Sequence, residues 1–404
     1  MTGKLFLLAL SFLPLFSVAD DGRDFAQKNL NQFFAEFEKD PVSAMNRTPV
    51  KRHVSGPTSI VRFSEAQIQN KDYVLLKDQA RKNICALGNC ERQDFSINSG
   101  IDQMNNPVGL IGFQDAASVN LFSLDQFGRQ ATVRVQPWSG SYWPAFMGGM
   151  GGRFGDPNFP KSTNYHDHLN FRVSYVFGQS NNPNTLSPAE KYDLLVGDPN
   201  FTLTNAIWGK SAWYQQNNGQ VEAWMGYCHG WAPASYLERR PRRAIKLSGA
   251  DGRVIQFNPD DIKALTTLAW AQTGAPQVKV GGRCNVKNPA TDNVGRIIDP
   301  MCFDTNPGSW HMALVNIMGR QGKSFTLDAT FDYEVWNQPA VSYRIYYFNP
   351  IDRKLRENLR DATVPRGSFN DVFARYRSPY AQFIAGVTVE IVYGNETYPS
   401  LNTQ

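Results

Sequence analysis

The sequence predicts an α+β fold in which a helix carrying a cysteine packs on an antiparallel sheet carrying a histidine and an aspartate. Three observations predict it. Residues 24–38 (DFAQKNLNQFFAEFE) repeat apolar side chains at helical spacing. WAPASYLERR, with Pro233 in its opening turn, starts a helix just after Cys228. VGLIGF, ATVRVQ and KSFTLDAT are short alternating or apolar pieces bounded by turn residues, which read as strands.

The chain opens on Lys4, an apolar run from Leu5 to Val18, and the small residues Ser17, Val18 and Ala19 ahead of Asp20. This is the pattern of a secretory signal peptide over residues 1–19, and the run is shorter than the roughly 20 residues that span a bilayer. The mature chain starts near Asp20, is secreted to an extracellular or periplasmic space, and has no further membrane span. Residues 20–100 form an N-terminal helical segment: Phe25, Leu30, Phe33, Phe34 and Phe37 line one helix face, and a polar stretch follows from Lys39 to about Arg62. Such a segment serves as a removable pro-region or as a packed helix with a linker. Residues 101–404 read as one large domain.

Within that domain FMGGMGGRFG is a loop; without a preceding strand and a Lys it is no phosphate cradle. NPDDIKAL starts a helix through Trp270, with Asp260 and Asp261 capping it. The formal charge of +5 over 404 residues is too small to imply a nucleic-acid partner. Arg239, Arg240, Arg242 and Arg243 around Pro241 read as a solvated link between a helix and a strand.

Export permits disulfides, and the chain has five cysteines. Cys85 and Cys90 enclose a short turn (ICALGNC), and Cys284 and Cys302 flank a loop rich in Pro, Gly and Asp. Pairing these locally leaves Cys228 alone. An unpaired cysteine in an exported protein is a reactive thiol, one half of an intermolecular bridge, or a buried inert residue. At a helix N-terminus the dipole favours the nucleophilic thiolate.

A thiol nucleophile needs a base, and there are five histidines. His53 lies in the polar N-terminal stretch. His166 and His168, alternating in YHDHLNF, make a poor metal site with Asp167 and read as surface or packed residues. His229 adjoins Cys228 and cannot face it. His311 begins SWHMALVNIMG, which reads as a buried strand; GRQG then turns the chain into KSFTLDAT, so that a hairpin sets His311 beside Asp328. Asp332 and Asn337, further along, rank behind Asp328 as its orienter.

The order Cys228, His311 at the head of a strand, Asp328 in LDAT resembles the transglutaminase branch of the papain-like thiol enzymes. GYCHGWAPAS together with FDYEVWNQPAVSYRIY is more specifically similar to the transglutaminase elicitor family, secreted enzymes of oomycetes with bacterial relatives. Val335, Trp336, Asn337, Gln338 and Pro339 match the VWNQP stretch that this family exposes as an immune-eliciting peptide. The resemblance runs from WSGSYWP past VWNQP. It implies a papain-like/transglutaminase-type core over residues 101–404, with Cys228, His311 and Asp328 as the catalytic triad of a protein-glutamine gamma-glutamyltransferase.

Such an enzyme forms a thioester from a protein glutamine and passes the acyl group to a lysine or polyamine acceptor, giving isopeptide cross-links. A cysteine protease or glutamine deamidase would use the same triad, and a non-enzymatic binding protein would leave Cys228 structural. One departure from the wider superfamily is that His229 and Gly230 separate the cysteine from Trp231. Trp208, Trp213 and Gln220 are the candidate second oxyanion donors, and Trp224, Tyr227 and Trp231 the candidate walls shielding the thioester. Calcium enters only as an implication of the resemblance, since Asp251, Asp260 and Asp261 lack the ligand spacing of a calcium loop.

Overall fold

A computed structural model of the chain describes residues 19–47, 49–50, 121–273, 280–281, 283–303, 305–330, 333–377 and 381–401. In chain order its main helices are α1 (Ala19–Lys39), α2 (Tyr165–Val173), α3 (Pro188–Val196), α4 (Thr202–Asn218), α5 (Cys228–Leu237), α6 (Pro259–Gln272) and α7 (Pro307–Leu314). Its strands are β1 (Gln130–Thr132), β2 (Ile245–Ser248), β3 (Val254–Phe257), β4 (Thr326–Asp328), β5 (Asn337–Phe348), β6 (Leu355–Arg356), β7 (Thr363–Pro365) and β8 (Phe383–Tyr393). The mixture of helices and antiparallel strands is the one the sequence predicts. The contacts divide the described residues into two compact units, one drawn from those within 1–50, 293–295 and 345–389, the other from those within 51–292, 296–344 and 390–404.

In the smaller unit α1 is the amphipathic helix expected from the phenylalanine spacing. Its Ala26 and Leu30 are buried with Leu355, and Phe34, Tyr346 and Phe348 pack against them. Phe34 meets Phe348 edge-on with centroids 5.9 Å apart, and Phe37 meets Phe373 at 5.7 Å, both within the roughly 4.5–7 Å of favourable aromatic pairs. The apolar face of α1 is thus used within its own unit. Gln27 ties the helix to the chain by donating to the Arg353 carbonyl and accepting from the Leu355 amide. β6 pairs with the end of β5 and β7 with β8.

The larger unit is mainly helical. α5 lies against α6, and the approach is close because Gly230 has no side chain: a Cβ there would stand 2.2 Å from the Thr267 carbonyl oxygen. Two ion pairs inside this unit have no solvent access to speak of. Lys191 on α3 bonds Asp261 on α6 at 2.6 Å, and Arg153 bonds Glu190 at 2.6 Å. Asp261 also accepts from the Asn258 amide, capping α6 as its sequence suggests. The glycine-rich segment folds into tight buried turns (Ala145–Met147 and Gly149–Gly151), and Gly148, at φ 76, sits so close to the Trp208 ring that any Cβ would clash. Arg239, Arg240, Arg242 and Arg243 are exposed on the link from α5 to β2, as expected.

One predicted element is of a different kind. SWHMALVNIMG is not a strand: residues Pro307–Leu314 form α7, and Val315–Arg320 continue it as a π-helix. Asn306 starts it by accepting from the Gly308 and Ser309 amides, with Pro307 at the first helical position, and this local capping outweighs the strand-like apolar run. His311 is therefore carried by a helix and not by the sheet. KSFTLDAT does contain a strand, β4, but β4 pairs with β5, setting Asp328 opposite Asn337. The hairpin that was to join His311 to Asp328 does not form. YHDHLNF is likewise helical (α2), its start capped by Asn164.

Candidate active site

Cys228 opens α5. The chain leading into it is held against residues 142–145: Tyr227 donates from its amide to the Tyr142 carbonyl, Ala145 to the Met225 carbonyl, and the Tyr142 hydroxyl to the Ala223 carbonyl at 2.7 Å. Gly226 allows this, since a Cβ there would lie 2.7 Å from the Tyr142 oxygen. WSGSYWP and GYCHG are thus one local assembly. Pro233 falls inside α5, beyond the first turn where the sequence placed it.

The thiol is the free cysteine among the described residues and is 4% exposed. Asn337 donates from Nδ2 to its sulfur at 3.3 Å, and the sulfur lies 3.5 Å from the Val335 carbonyl. Trp336, between them, stacks obliquely on Tyr142 with centroids 5.2 Å apart. The VWNQP segment therefore covers Cys228. Burial pushes the thiol above its ordinary range, and the Glu396 carboxylate adds to this; the Asn337 side chain and the Asn337 and His229 amides pull the other way and lose. The helix N-terminus alone pointed to a thiolate, but desolvation prevails and the resting group is the neutral thiol.

Asp328 ends β4 and organises the same segment. Its Oδ1 accepts from the Thr330 hydroxyl at 2.8 Å, the Thr330 amide at 3.2 Å and the Trp336 amide at 3.0 Å. Its carboxylate thereby fixes the turn that presents Asn337, its cross-strand partner, to the sulfur. His311 is buried on α7, and burial lowers its imidazole to about 4, with the Asp125 carboxylate pulling it back up in part. Asn337 lies on the Cys228 sulfur and is the cross-strand partner of Asp328. Asn337, Val335, Tyr142 and Glu396 are the neighbours of the thiol that residue order did not bring forward; the VWNQP match was the signal that contained Asn337.

The remaining sequence candidates have other occupations. Trp208 donates to the Gly151 carbonyl at 3.0 Å, Gln220 to Glu222 at 3.1 Å, and Trp213 is exposed, so none of the three is aimed at the sulfur as an oxyanion donor. Trp231 belongs to a core cluster with Trp138 and Ala234, and Tyr227 to one with Trp143 and Met150; both are packing residues. His168 is fully buried, with Nε2 2.8 Å from the Ser162 carbonyl, the packed role expected for it. His53, Asp332, Cys85 and Cys90 lie outside the described residues, as does the leader. Cys284 and Cys302 form the expected disulfide.

The described acidic residues do not fit a calcium site. Among those described, no group of three or more His, Cys, Asp or Glu is placed to hold a metal ion. Asp260 is engaged by Lys263 and the Ser400 amide, Asp261 by Lys191, and Asp251 by Arg253. No described helix is long and apolar enough to cross a membrane.

The transglutaminase elicitor family model matches residues 113–359. Among solved structures, the GP42 transglutaminase from Phytophthora sojae is similar at 21% identity, over 67% of this chain and 69% of that one, with a TM-score of 0.42. No curated protein matches the sequence.

Proposed function

Because the chain belongs to the transglutaminase elicitor family, we propose that it is a secreted protein-glutamine gamma-glutamyltransferase acting through a thioester on Cys228. The observation that carries this reading is the unpaired thiol at the start of α5 with the Asn337 amide on its sulfur. Family membership supports the acyl-transfer chemistry, and the leader pattern read in residues 1–19 supports export.

The thiol attacks the carboxamide carbon of a protein glutamine. A bond forms between sulfur and carbon, the carbon–nitrogen bond breaks, and ammonia leaves with the proton taken from Cys228. His311 is the residue assigned to carry that proton, on the order of residues that the family shares. Burial holds its imidazole near 4, so it is neutral at pH 7 but a weaker base than an ordinary histidine, and the assignment rests on residue order alone. A lysine or polyamine nitrogen then attacks the thioester, gives its proton to His311, and displaces the thiol to leave an amide. Water in its place gives glutamate. Asn337 Nδ2, already on the sulfur, is suited to donate to the oxyanion of the tetrahedral intermediates. Asp328 acts by holding the VWNQP turn.

Incorporation of a fluorescent primary amine into casein tests the reading. Wild type should label intact casein, Cys228→Ala should abolish labelling, and His311→Ala should cost nearly as much. Casein fragments without label would mean a protease instead.

A further inference from the structure

Beside the VWNQP segment lies a second polar cluster that the acyl-transfer chemistry does not use. Glu222 Oε2 accepts from the Trp224 indole at 2.5 Å and from the Tyr333 hydroxyl at 2.6 Å. The two rings meet at 88°, centroids 6.0 Å apart. Into this corner the chain places its own ammonium: Lys287 Nζ lies 3.6 Å from Glu222 Oε1 and 4.7 Å from the centre of the Tyr333 ring. Arg283 stands over the Trp224 ring at 5.7 Å. A carboxylate held by the polar edges of two perpendicular rings, beside a tyrosine face that an ammonium already overlies, matches the requirements of an alkylammonium, which offers three donors and a positive charge.

Lys287 is a loose occupant. Its side chain is 60% exposed while that of Glu222 is 17% exposed, and 3.6 Å is longer than the 2.7–2.9 Å of a close charge-assisted bond. It belongs to the loop that the Cys284–Cys302 disulfide closes, so it is tethered near the corner without being packed into it. The corner is also close to the thiol along the chain. Tyr333 precedes Val335, whose carbonyl is 3.5 Å from the sulfur, by two residues, so the Cα atoms of the two are at most about 7 Å apart. A flexible chain of four or five methylenes has a length of the same order.

We propose that Glu222, Tyr333 and Trp224 form a subsite for the second ammonium of a dibasic amine acceptor, and that Lys287 competes for it from within the same chain. The subsite rests on the acyl-transfer reading, since it is the first amine of the acceptor that attacks the thioester. It makes a diamine a better acceptor than a monoamine of equal length, and Lys287 limits that preference.

The experiment compares 1,5-diaminopentane with pentylamine as acceptors for one glutamine peptide, in wild type, Lys287→Ala and Glu222→Gln. Wild type should favour the diamine in kcat/KM, Lys287→Ala should widen the ratio roughly five- to tenfold, and Glu222→Gln should bring it close to one, the size expected for one exposed cation held by a carboxylate and a ring. Lys287 is exposed, so its replacement carries little risk to folding. Equal use of both amines by wild type and Lys287→Ala would overturn the subsite while leaving acyl transfer intact. Transfer of neither amine would overturn the acyl-transfer reading; calorimetric titration of 1,5-diaminopentane then decides the subsite alone. Binding to Lys287→Ala that is lost on adding Glu222→Gln supports it, and no binding to Lys287→Ala overturns it.

Discussion

At Cys228 two influences oppose each other, and burial beneath VWNQP outweighs the helix N-terminus. The thiol of the resting protein is neutral at pH 7. Iodoacetamide should therefore modify native Cys228 slowly at neutral pH and faster as the pH rises, whereas a rate independent of pH above 7 would show a thiolate already formed. Asn337→Ala removes a donor to the sulfur, which shifts the alkylation profile to still higher pH and lowers amine incorporation about tenfold or more, on the scale of a lost hydrogen bond to a developing charge. Asp328→Ala should also lower activity, by freeing the Trp336 amide and the turn. His311 makes a separate contribution to stability. Its folded imidazole titrates at about 4 against 6.5 unfolded, so the folded state disfavours the proton. The stabilisation is fully present above 6.5 and is lost as pH falls from 6.5 to about 4. Thermal midpoints at pH 7 and pH 5 should differ more for wild type than for His311→Asn; equal differences would mean that other groups dominate.

The contact between α5 and α6 is what places the N-terminus of α5. Gly230 lies against the Thr267 carbonyl with no room for a methyl, so Gly230→Ala must push the helices apart. This should cost about 1–3 kcal/mol, read as a lower urea midpoint, and should move Cys228 relative to Asn337. A variant of unchanged stability and activity would show that the two helices move freely. The other instructive element is α7. Asn306 and Pro307 are start signals ahead of an apolar run that fits a strand as well as a buried helix, and run length and apolarity do not separate the two. The start signals proved the better guide. β4 was legible from its own residues, but its partner was not: pairing it with β5 instead of the preceding segment gave Asp328 to the VWNQP turn.

Across the larger unit, Lys191–Asp261 ties α3 to α6 out of contact with water. Lys191→Met leaves the Asp261 carboxylate buried without its cation and should cost about 3–5 kcal/mol. Adding Asp261→Leu should recover much of that loss, since two apolar side chains replace the pair; a double variant as unstable as the single one would mean that the bonds to Asn258 matter more. The cysteines give a check on the whole chain. Alkylation under denaturing conditions without reductant should label Cys228 alone; three labelled thiols would leave Cys284–Cys302 as the sole disulfide and refute the Cys85–Cys90 pair.

The sequence by itself determined the mixed α and β composition, α1 with its aromatic face, the helix that begins at Cys228, the pairing of Cys284 with Cys302, and the family. Each is written in neighbouring residues: a helical spacing, a short loop between cysteines, a motif of ten to sixteen positions. Tertiary structure alone decided the surroundings of the sulfur. Asn337 and Glu396 come from segments more than a hundred residues away, and whether a thiol at a helix start is charged depends on how much chain lies over it. It also decided the partner of β4 and the setting of His311, because strand pairing and burial are fixed by the competition among distant segments for the same apolar surface, which no local pattern records.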